Sequence, residues 1–237
     1  MGTSQVEAKR LSPFHHKQVS LAAKFTVDDF GWARAEQFTD PASEKLAVEQ
    51  SVGFADLSHL TKLGLNGSGL SRLVSERYSP AISEVRGTVL THGRGMYEST
   101  LCAMFSVDEG MLVCNESLKD GIIKELTAGR TGHFTIVDVS SVFAACYVSG
   151  PNSRALLRRL TELNVNPDDF PDLSVTHTPV RHVPTIILRK DLGKIIAYQL
   201  YFERAYAEYV WDVLFNSGKD LGVVPVGSSA MRLLGLG

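Results

Sequence analysis

The residues able to do chemistry are few and lie far apart along the chain. Glu98-Ser99-Thr100 sets a carboxylate beside two hydroxyls. A carboxylate can hold a cation or move a proton, whereas a hydroxyl offers hydrogen bonds but cannot stabilise positive charge comparably. On a strand, alternation puts Glu98 and Thr100 on one face and Ser99 on the other. A bulge or a one-residue register shift would be needed to bring Glu98 inward. Asn115 ends the apolar run Leu112-Val113-Cys114. Its amide can donate and accept at a ligand edge, or cap the helix that follows. Lys190-Asp191-Leu192-Gly193-Lys194 reads as a charged hairpin turn, in which Lys194 can only donate. His59 reads as a structural hydrogen-bonding residue, and His177 and His182, in a proline-containing loop, lack metal-ligand spacing.

The bulk of the chain narrows the choices. Its 237 residues are 44% hydrophobic and 21% charged, with a net charge of −2, an ordinary balance for a soluble globular protein. No basic excess suggests a nucleic-acid groove. No apolar run approaches the roughly 20 residues that span a bilayer. The three cysteines, Cys102, Cys114 and Cys146, are odd in number and widely spaced, against a disulfide framework or a zinc site. They read as small core residues in a reducing, cytoplasmic compartment. Residues 1–10 lack an apolar signal core and read as a flexible lead-in.

The elements that must position these residues can be read from pattern. Asp40-Pro41 opens a helix with Leu46 and Ala47 inward, stopping at Gly53. Strands are expected near 60–66, 86–91, 98–106 and 110–115, with a short helix carrying Leu70, Leu73 and Val74 after the first. A helix over 116–129 has Leu118, Ile122, Ile123 and Leu126 on one stripe, and a strand over 133–139 follows. The second half repeats the plan. A strand at 142–148 runs into Ser149-Gly150-Pro151-Asn152, where Asn152 can cap a helix. After a proline-rich loop at 165–184 come strands near 185–189 and 195–203, a helix at 204–217, a strand at 222–226 and a helical stretch from Ser228. Each half approximates β-α-β-β-α-β. The fold class is α+β: two ferredoxin-like (split βαβ) lobes, approximately 54–140 and 141–237, with 11–53 packing across them.

Several motifs occur in an informative order. His15-His16-Lys17 precedes Phe30-Gly31-Trp32, then Ser51-Val52-Gly53-Phe54-Ala55-Asp56-Leu57-Ser58-His59, then Gly150-Pro151, then Trp211-Asp212 with Gly218. Together they resemble the folate-binding part of the glycine-cleavage T-protein (aminomethyltransferase) family, over roughly residues 11–231. The resemblance implies lobes around a channel that binds tetrahydrofolate and transfers a one-carbon unit, either aminomethyl or methyl. A reduced pterin offers several N–H donors, so a buried carboxylate is its natural partner.

The same comparison exposes departures. The family's catalytic aspartate lies in a Gly-Gly-containing segment that matches Gly95-Met96-Tyr97-Glu98-Ser99-Thr100-Leu101, so the aspartate positions become Ser99 and Thr100. Glu98 is the adjacent substitute. A pterin-clamping glutamate is replaced by Lys194, with Asp191 nearby. Asn115 matches a family asparagine that ends a valine-rich strand beside the folate. The implied cofactor-binding residues are Asn115, Thr100, Ser99 and Lys194, with no metal. T-proteins continue into a C-terminal barrel-like domain, whereas this sequence stops at Gly237. A partner subunit or a homo-oligomer is then expected to complete the channel. The resemblance supports a folate-dependent one-carbon transferase; the altered positions keep open a non-catalytic folate-binding or scaffold subunit of a larger complex. Neither involves nucleic acid or membrane.

Overall fold

A computed structural model describes residues 8–78, 87–91, 93–128 and 133–235. The chain begins with β1 (Arg10–Leu11), α1 (His15–Ser20), β2 (Lys24–Val27), β3 (Trp32–Gln37), α2 (Pro41–Gln50) and β4 (Val52–Asp56). It continues through β5 (Thr61–Gly67), α3 (Leu70–Ser75), β6 (Thr88–Leu90), β7 (Leu101–Met104), β8 (Glu109–Cys114), α4 (Lys119–Ala128) and β9 (Phe134–Asp138). The last stretch is β10 (Phe143–Ser149), α5 (Ser153–Leu157), β11 (Val175–Val180), β12 (Val183–Arg189), β13 (Ala197–Glu203), α6 (Ala207–Gly218), β14 (Val223–Val226) and α7 (Ser228–Leu233).

The strands form three sheets, ordered β1-β3-β2, β6-β7-β8-β5-β9 and β11-β12-β13-β10-β4-β14. Within the second, β7-β8-β5-β9 with α3 and α4 is a split-βαβ unit carrying β6 as an extra edge strand. The third is the same unit with two additions: β11 on one edge, and β4 inserted between β10 and β14. β4 runs antiparallel to β10 and parallel to β14. The expected α+β architecture of two ferredoxin-like lobes is therefore present.

Alternation along each strand splits the core into layers. On β7, Cys102 and Met104 face the helices of their own lobe, packing with Leu70 and Leu73 of α3 and Ile122 and Leu126 of α4. Leu101 and Ala103 face the other way, into an apolar layer shared with Ala145, Tyr147 and Tyr201 of the second lobe. On the far side, Val52, Phe54 and Val148 meet Leu156 of α5 and Val210, Trp211 and Leu214 of α6. The two sheets thus pack face to face, with helices outside. All three cysteines are free and buried, as small core residues are.

The N-terminal segment packs across the lobes. Phe14 is fully buried, edge-on to Phe54 and Phe202. Arg10 Nη1 reaches Glu116 Oε2 at 2.6 Å, tying β1 to the first lobe. Asp40 caps α2 by accepting from the Ser43 N–H, with Pro41 at the first helical position, as its sequence implies. Glu44, on the buried face of α2, accepts from the N–H groups of Phe38, Thr39 and Gly227 at 2.6, 2.7 and 2.7 Å. This carboxylate fixes the turn into α7. Gly53 is needed where α2 and β14 close in: a Cβ there would lie 2.4 Å from Val48 Cγ2 and 2.9 Å from Val226 Cγ2.

Several expectations are corrected. The loop expected at 165–184 contains β11, because Val175 and Val180 turn inward while the residues between them pair with β12. The strand expected over 98–106 starts only at Leu101, after a 3₁₀ turn at Gly95–Tyr97. Leu46 is 48% exposed; Glu44 and Val48 take the inner face of α2. That helix ends at Gln50, and Gly53 lies inside β4. Although placed at the head of α5, Asn152 does not cap it; its amide donates to the Leu221 carbonyl at 3.2 Å. Residues 52–56, partly assigned to the first lobe, lie within the sheet of the second. Strands β1 to β3 and helix α1 were not anticipated. Residues 1–7 of the expected lead-in, and Gly129 at the expected end of α4, fall outside the described residues.

Candidate functional site

A cavity of about 400 Å³ opens where the three sheets meet. Trp32 and Arg34 reach it from β3, and Asp56 and His59 from the end of β4 and the turn beyond. Glu98, Ser99 and Thr100 come from the turn before β7, and Cys114 and Asn115 from the end of β8. Tyr147, Lys190 and Gln199 complete it from the second lobe, and Met231 from α7.

The turn at 95–100 explains how three consecutive residues line one cavity. Strand alternation does not apply before Leu101, so Glu98, Ser99 and Thr100 all border it. Glu98 and Ser99 are exposed. Thr100 is buried, and its hydroxyl donates to the Tyr97 carbonyl at 2.9 Å while accepting from the Tyr78 phenol. A hydroxyl has one proton, so that of Thr100 is committed to the first lobe.

Asn115 stands at the first cap position of the turn Glu116–Leu118, yet its side chain makes no capping hydrogen bond. The neighbouring Glu116 accepts from the Trp32 indole N–H at 3.3 Å and pairs with Arg10. Asn115 thus stands at the cavity wall with its amide uncommitted among the described residues. Lys194 is exposed on the turn between Leu192 and Ile195 and is not among the lining residues; Lys190, four positions earlier, lines the cavity instead. Burial pulls the Lys190 ammonium below the usual lysine range, with Asp172 partly opposing this. Asp191 forms a two-pronged pair with Arg189, at 3.0 and 2.7 Å, and also accepts from the Ala197 N–H. It is part of the hairpin rather than of the cavity wall. His177 packs edge-on against Phe105 and His182 lies at the turn into β12; neither lines the cavity.

Of the other lining residues, His59 is read from sequence and Asp56 only as part of a motif, whereas Tyr147 and Gln199 are not singled out there. Asp56 receives the Ser58 N–H and the Gln18 amide, each at 2.8 Å. His59, expected as a structural hydrogen-bonding residue, makes no side-chain hydrogen bond among the described residues; burial, with Arg34 and Lys62 nearby, pulls its pKa down to about 3. The imidazole is therefore neutral at physiological pH. Tyr147 and Gln199 oppose each other across β10 and β13. The Gln199 amide donates to the Tyr147 oxygen at 2.8 Å and accepts from the Tyr201 hydroxyl. This leaves the Tyr147 O–H proton available to the cavity, while burial pushes its pKa up to about 12. It is a donor, not a base. The Cys114 thiol is likewise pushed up to about 12 by burial, so it is not a thiolate nucleophile. Asp56 stood in a motif already noted; Tyr147 and Gln199 sit in apolar strands, where only the pairing reveals them. Among the described residues no cluster of three His, Cys, Asp or Glu side chains can hold a metal.

The profile of the GCVT N-terminal domain matches residues 14–236. The chain belongs to this family. It is 24% identical over 227 residues to an aminomethyltransferase of Halothermothrix orenii, covering 93% of this chain and 62% of that protein. It is also 26% identical over 211 residues to human mitochondrial dimethylglycine dehydrogenase, covering 86% of this chain and 24% of that protein. The chain thus spans about three-fifths of the aminomethyltransferase's length. The fold is shared with the glycine cleavage system aminomethyltransferase T of Bartonella henselae, with a TM-score of 0.76 at 17% identity, covering 95% of this chain and 61% of that one. A chain of the heterotetrameric sarcosine oxidase of Corynebacterium sp. U-96 matches with a TM-score of 0.63 at 17% identity, over 92% of this chain and 99% of that one. No helix among the described residues is long and apolar enough to cross a membrane.

Proposed function

We propose that the cavity binds tetrahydrofolate and that the chain is a one-carbon transferase-like protein, moving an aminomethyl or methyl group, in the cytoplasm. The observation that carries this reading is Asn115. Asn115 lines the cavity and its side chain is not used as a helix cap, which in this reading leaves its amide to meet a pterin edge. Trp32 supplies an aromatic wall whose N–H is already satisfied by Glu116. Tyr147 offers an oriented O–H. When bound, the reduced folate supplies the nitrogen that receives or releases the one-carbon unit.

The chain's own contribution is positional and electrostatic. Holding reactants in register can lower a barrier by about 7–11 kcal/mol without a general acid. Glu98 is the lining carboxylate that no hydrogen bond occupies among the described residues, and in this reading it moves the proton. Asp56 keeps its oxygens on Ser58 and Gln18 and serves to orient the wall.

A second reading has its own support. Neither Ser99 nor Thr100 is a carboxylate, and the Thr100 hydroxyl is committed to Tyr78 and Tyr97. A non-catalytic folate-binding subunit, completed by a partner chain or a second copy, fits that arrangement. Anaerobic calorimetry with tetrahydrofolate tests the shared step: micromolar binding is expected, weakened in Asn115→Ala. Absence of binding to the wild-type chain at high folate concentration would overturn both readings for the chain alone. Glu98→Gln then separates them, because a transferase loses turnover while a binding subunit keeps its affinity and has no turnover to lose.

A further inference from the structure

Arg34 occupies an unusual position. Trp32 and Arg34 are two residues apart on β3 and both line the cavity, as strand alternation requires of residues sharing a face. Arg34 is half-buried. Among the described residues its guanidinium feels Asp28, Asp56 and Arg232 only through space, with no hydrogen bond or ion pair to any of them. Guanidinium groups drawn out of water are ordinarily paired.

The neighbouring carboxylates already accept hydrogen bonds from other groups, Asp28 through Oδ1 and Asp56 through both oxygens. Asp28 accepts from the N–H groups of Phe30 and Trp32 at 3.0 and 2.9 Å. Asp56 is held by Ser58 and Gln18. Arg232, the nearby like charge, is turned to Glu36 and Ser229. Burial pulls the Arg34 pKa down, yet a guanidinium stays charged at any physiological pH. Arg34 therefore gives the cavity a fixed cation with five donors in a planar fork and, among the described residues, no acceptor. Such a fork matches a carboxylate bidentately.

We propose that Arg34 is an anion-recognising residue of this cavity and takes a carboxylate of the molecule bound there. The strand rise puts Arg34 about 7 Å further along β3 than Trp32, and Trp32 contacts Glu116, the neighbour of Asn115. If the pterin edge meets Asn115, an assignment that rests on the function proposed above, Arg34 lies beyond that edge. The carboxylate then belongs either to the glutamate tail of the folate or to a small acidic donor of the one-carbon unit. The chemistry at Arg34 is the same in both cases.

The test follows the Arg34 Nε–Hε signal by NMR in the ¹⁵N-labelled full chain, assigned by its loss in Arg34→Met. The probes are tetrahydrofolate, 6-methyltetrahydropterin (which has no carboxylate), glutarate and N-methylglycine. If the folate tail is the source, Arg34→Met weakens tetrahydrofolate about tenfold or more but leaves 6-methyltetrahydropterin unchanged, and glutarate shifts the signal. If the source is a donor, both pterins bind the variant as they bind wild type, and N-methylglycine shifts the wild-type signal. Arg34→Lys keeps the charge but loses the fork, and should recover only part of the affinity; it also guards against misfolding of the methionine variant. The proposal is overturned if no carboxylate moves the signal and affinities in Arg34→Lys equal those of wild type. Should tetrahydrofolate fail to bind the wild-type chain, the folate reading fails, while glutarate and N-methylglycine still decide the role of Arg34.

Discussion

The phenol of Tyr78 donates to the hydroxyl of Thr100 inside the first lobe, and that hydroxyl in turn donates to the Tyr97 carbonyl. The threonine that the sequence resemblance sets at a family aspartate position is thus part of a core hydrogen-bond chain. Thr100→Val leaves the Tyr97 carbonyl and the Tyr78 phenol without this partner, and should cost about 1–3 kcal/mol in denaturant unfolding. Thr100→Asp sets a carboxylate against the Tyr97 carbonyl, and should cost more than the valine. A Thr100→Asp chain as stable as wild type would contradict this arrangement.

The Tyr147–Gln199–Tyr201 chain is the second polar device in the core. Tyr147→Phe leaves the buried Gln199 amide without its acceptor and should destabilise by about 1–3 kcal/mol. Replacing Gln199 by Leu in that background removes the stranded amide. The double variant should then be less destabilised than the sum of the single ones, a non-additivity measurable in a double-mutant cycle. Additive losses would mean the two residues act independently.

Lys62 is fully buried, with its ammonium donating to the Ser58 carbonyl at 2.8 Å, and burial pulls its pKa to about 8. The unfolded chain keeps this proton up to the ordinary lysine value of roughly 10.4. Between these two values the unfolded state binds more protons than the folded one, so stability from this group rises with pH. Below about pH 8 the cost of the buried charge is constant. The stability of wild type relative to Lys62→Met should therefore increase from pH 8 to pH 10, by up to about 3 kcal/mol. Thermal melts across that range read the difference; parallel curves would exclude a depressed Lys62.

His59 titrates in the opposite part of the scale. Its folded pKa of about 3 lies below the unfolded value near 6.5. Above pH 6.5 it contributes no pH dependence; as pH falls from 6.5 towards 3 the unfolded state takes up the proton first and stability is lost. Imidazole NMR should show a neutral ring at pH 5, and His59→Asn should unfold at lower pH than wild type. A ring protonated near pH 6 would refute the assignment.

Much of this could be read from residue pattern, and the gaps have physical reasons. The helices at Pro41 and after β8 announce themselves through a cap and an apolar stripe, which are local signals. Asn115 is legible because a strand-ending asparagine is conspicuous, but the pattern leaves two roles open, ligand contact and helix cap, and the side chain makes no capping hydrogen bond. Glu98 was judged by strand alternation, a rule suspended by the 3₁₀ turn at Gly95–Tyr97. Lys190 rather than Lys194 borders the cavity because the reversal between Leu192 and Ile195 keeps Lys194 in solvent. Arg34 carried no local signal at all. Its importance depends on which carboxylates are already occupied, and that information comes from residues distant in sequence.

The insertion of β4 between β10 and β14 has a consequence for how the molecule comes into being. As the chain leaves the ribosome, β4 emerges before the whole first lobe, while its partner β10 comes after it and β14 later still. The first lobe can close on itself while β4 waits with both edges unpaired, a strand open to mispairing until the second half arrives. The same arrangement makes that lobe a cassette. The chain departs at Asp56 and returns at Phe143, on adjacent antiparallel strands in which Asp56 pairs with Cys146. A short reverse turn could span that gap, giving a miniature chain that keeps the sheet of the second lobe but loses the wall formed by Glu98 and Asn115.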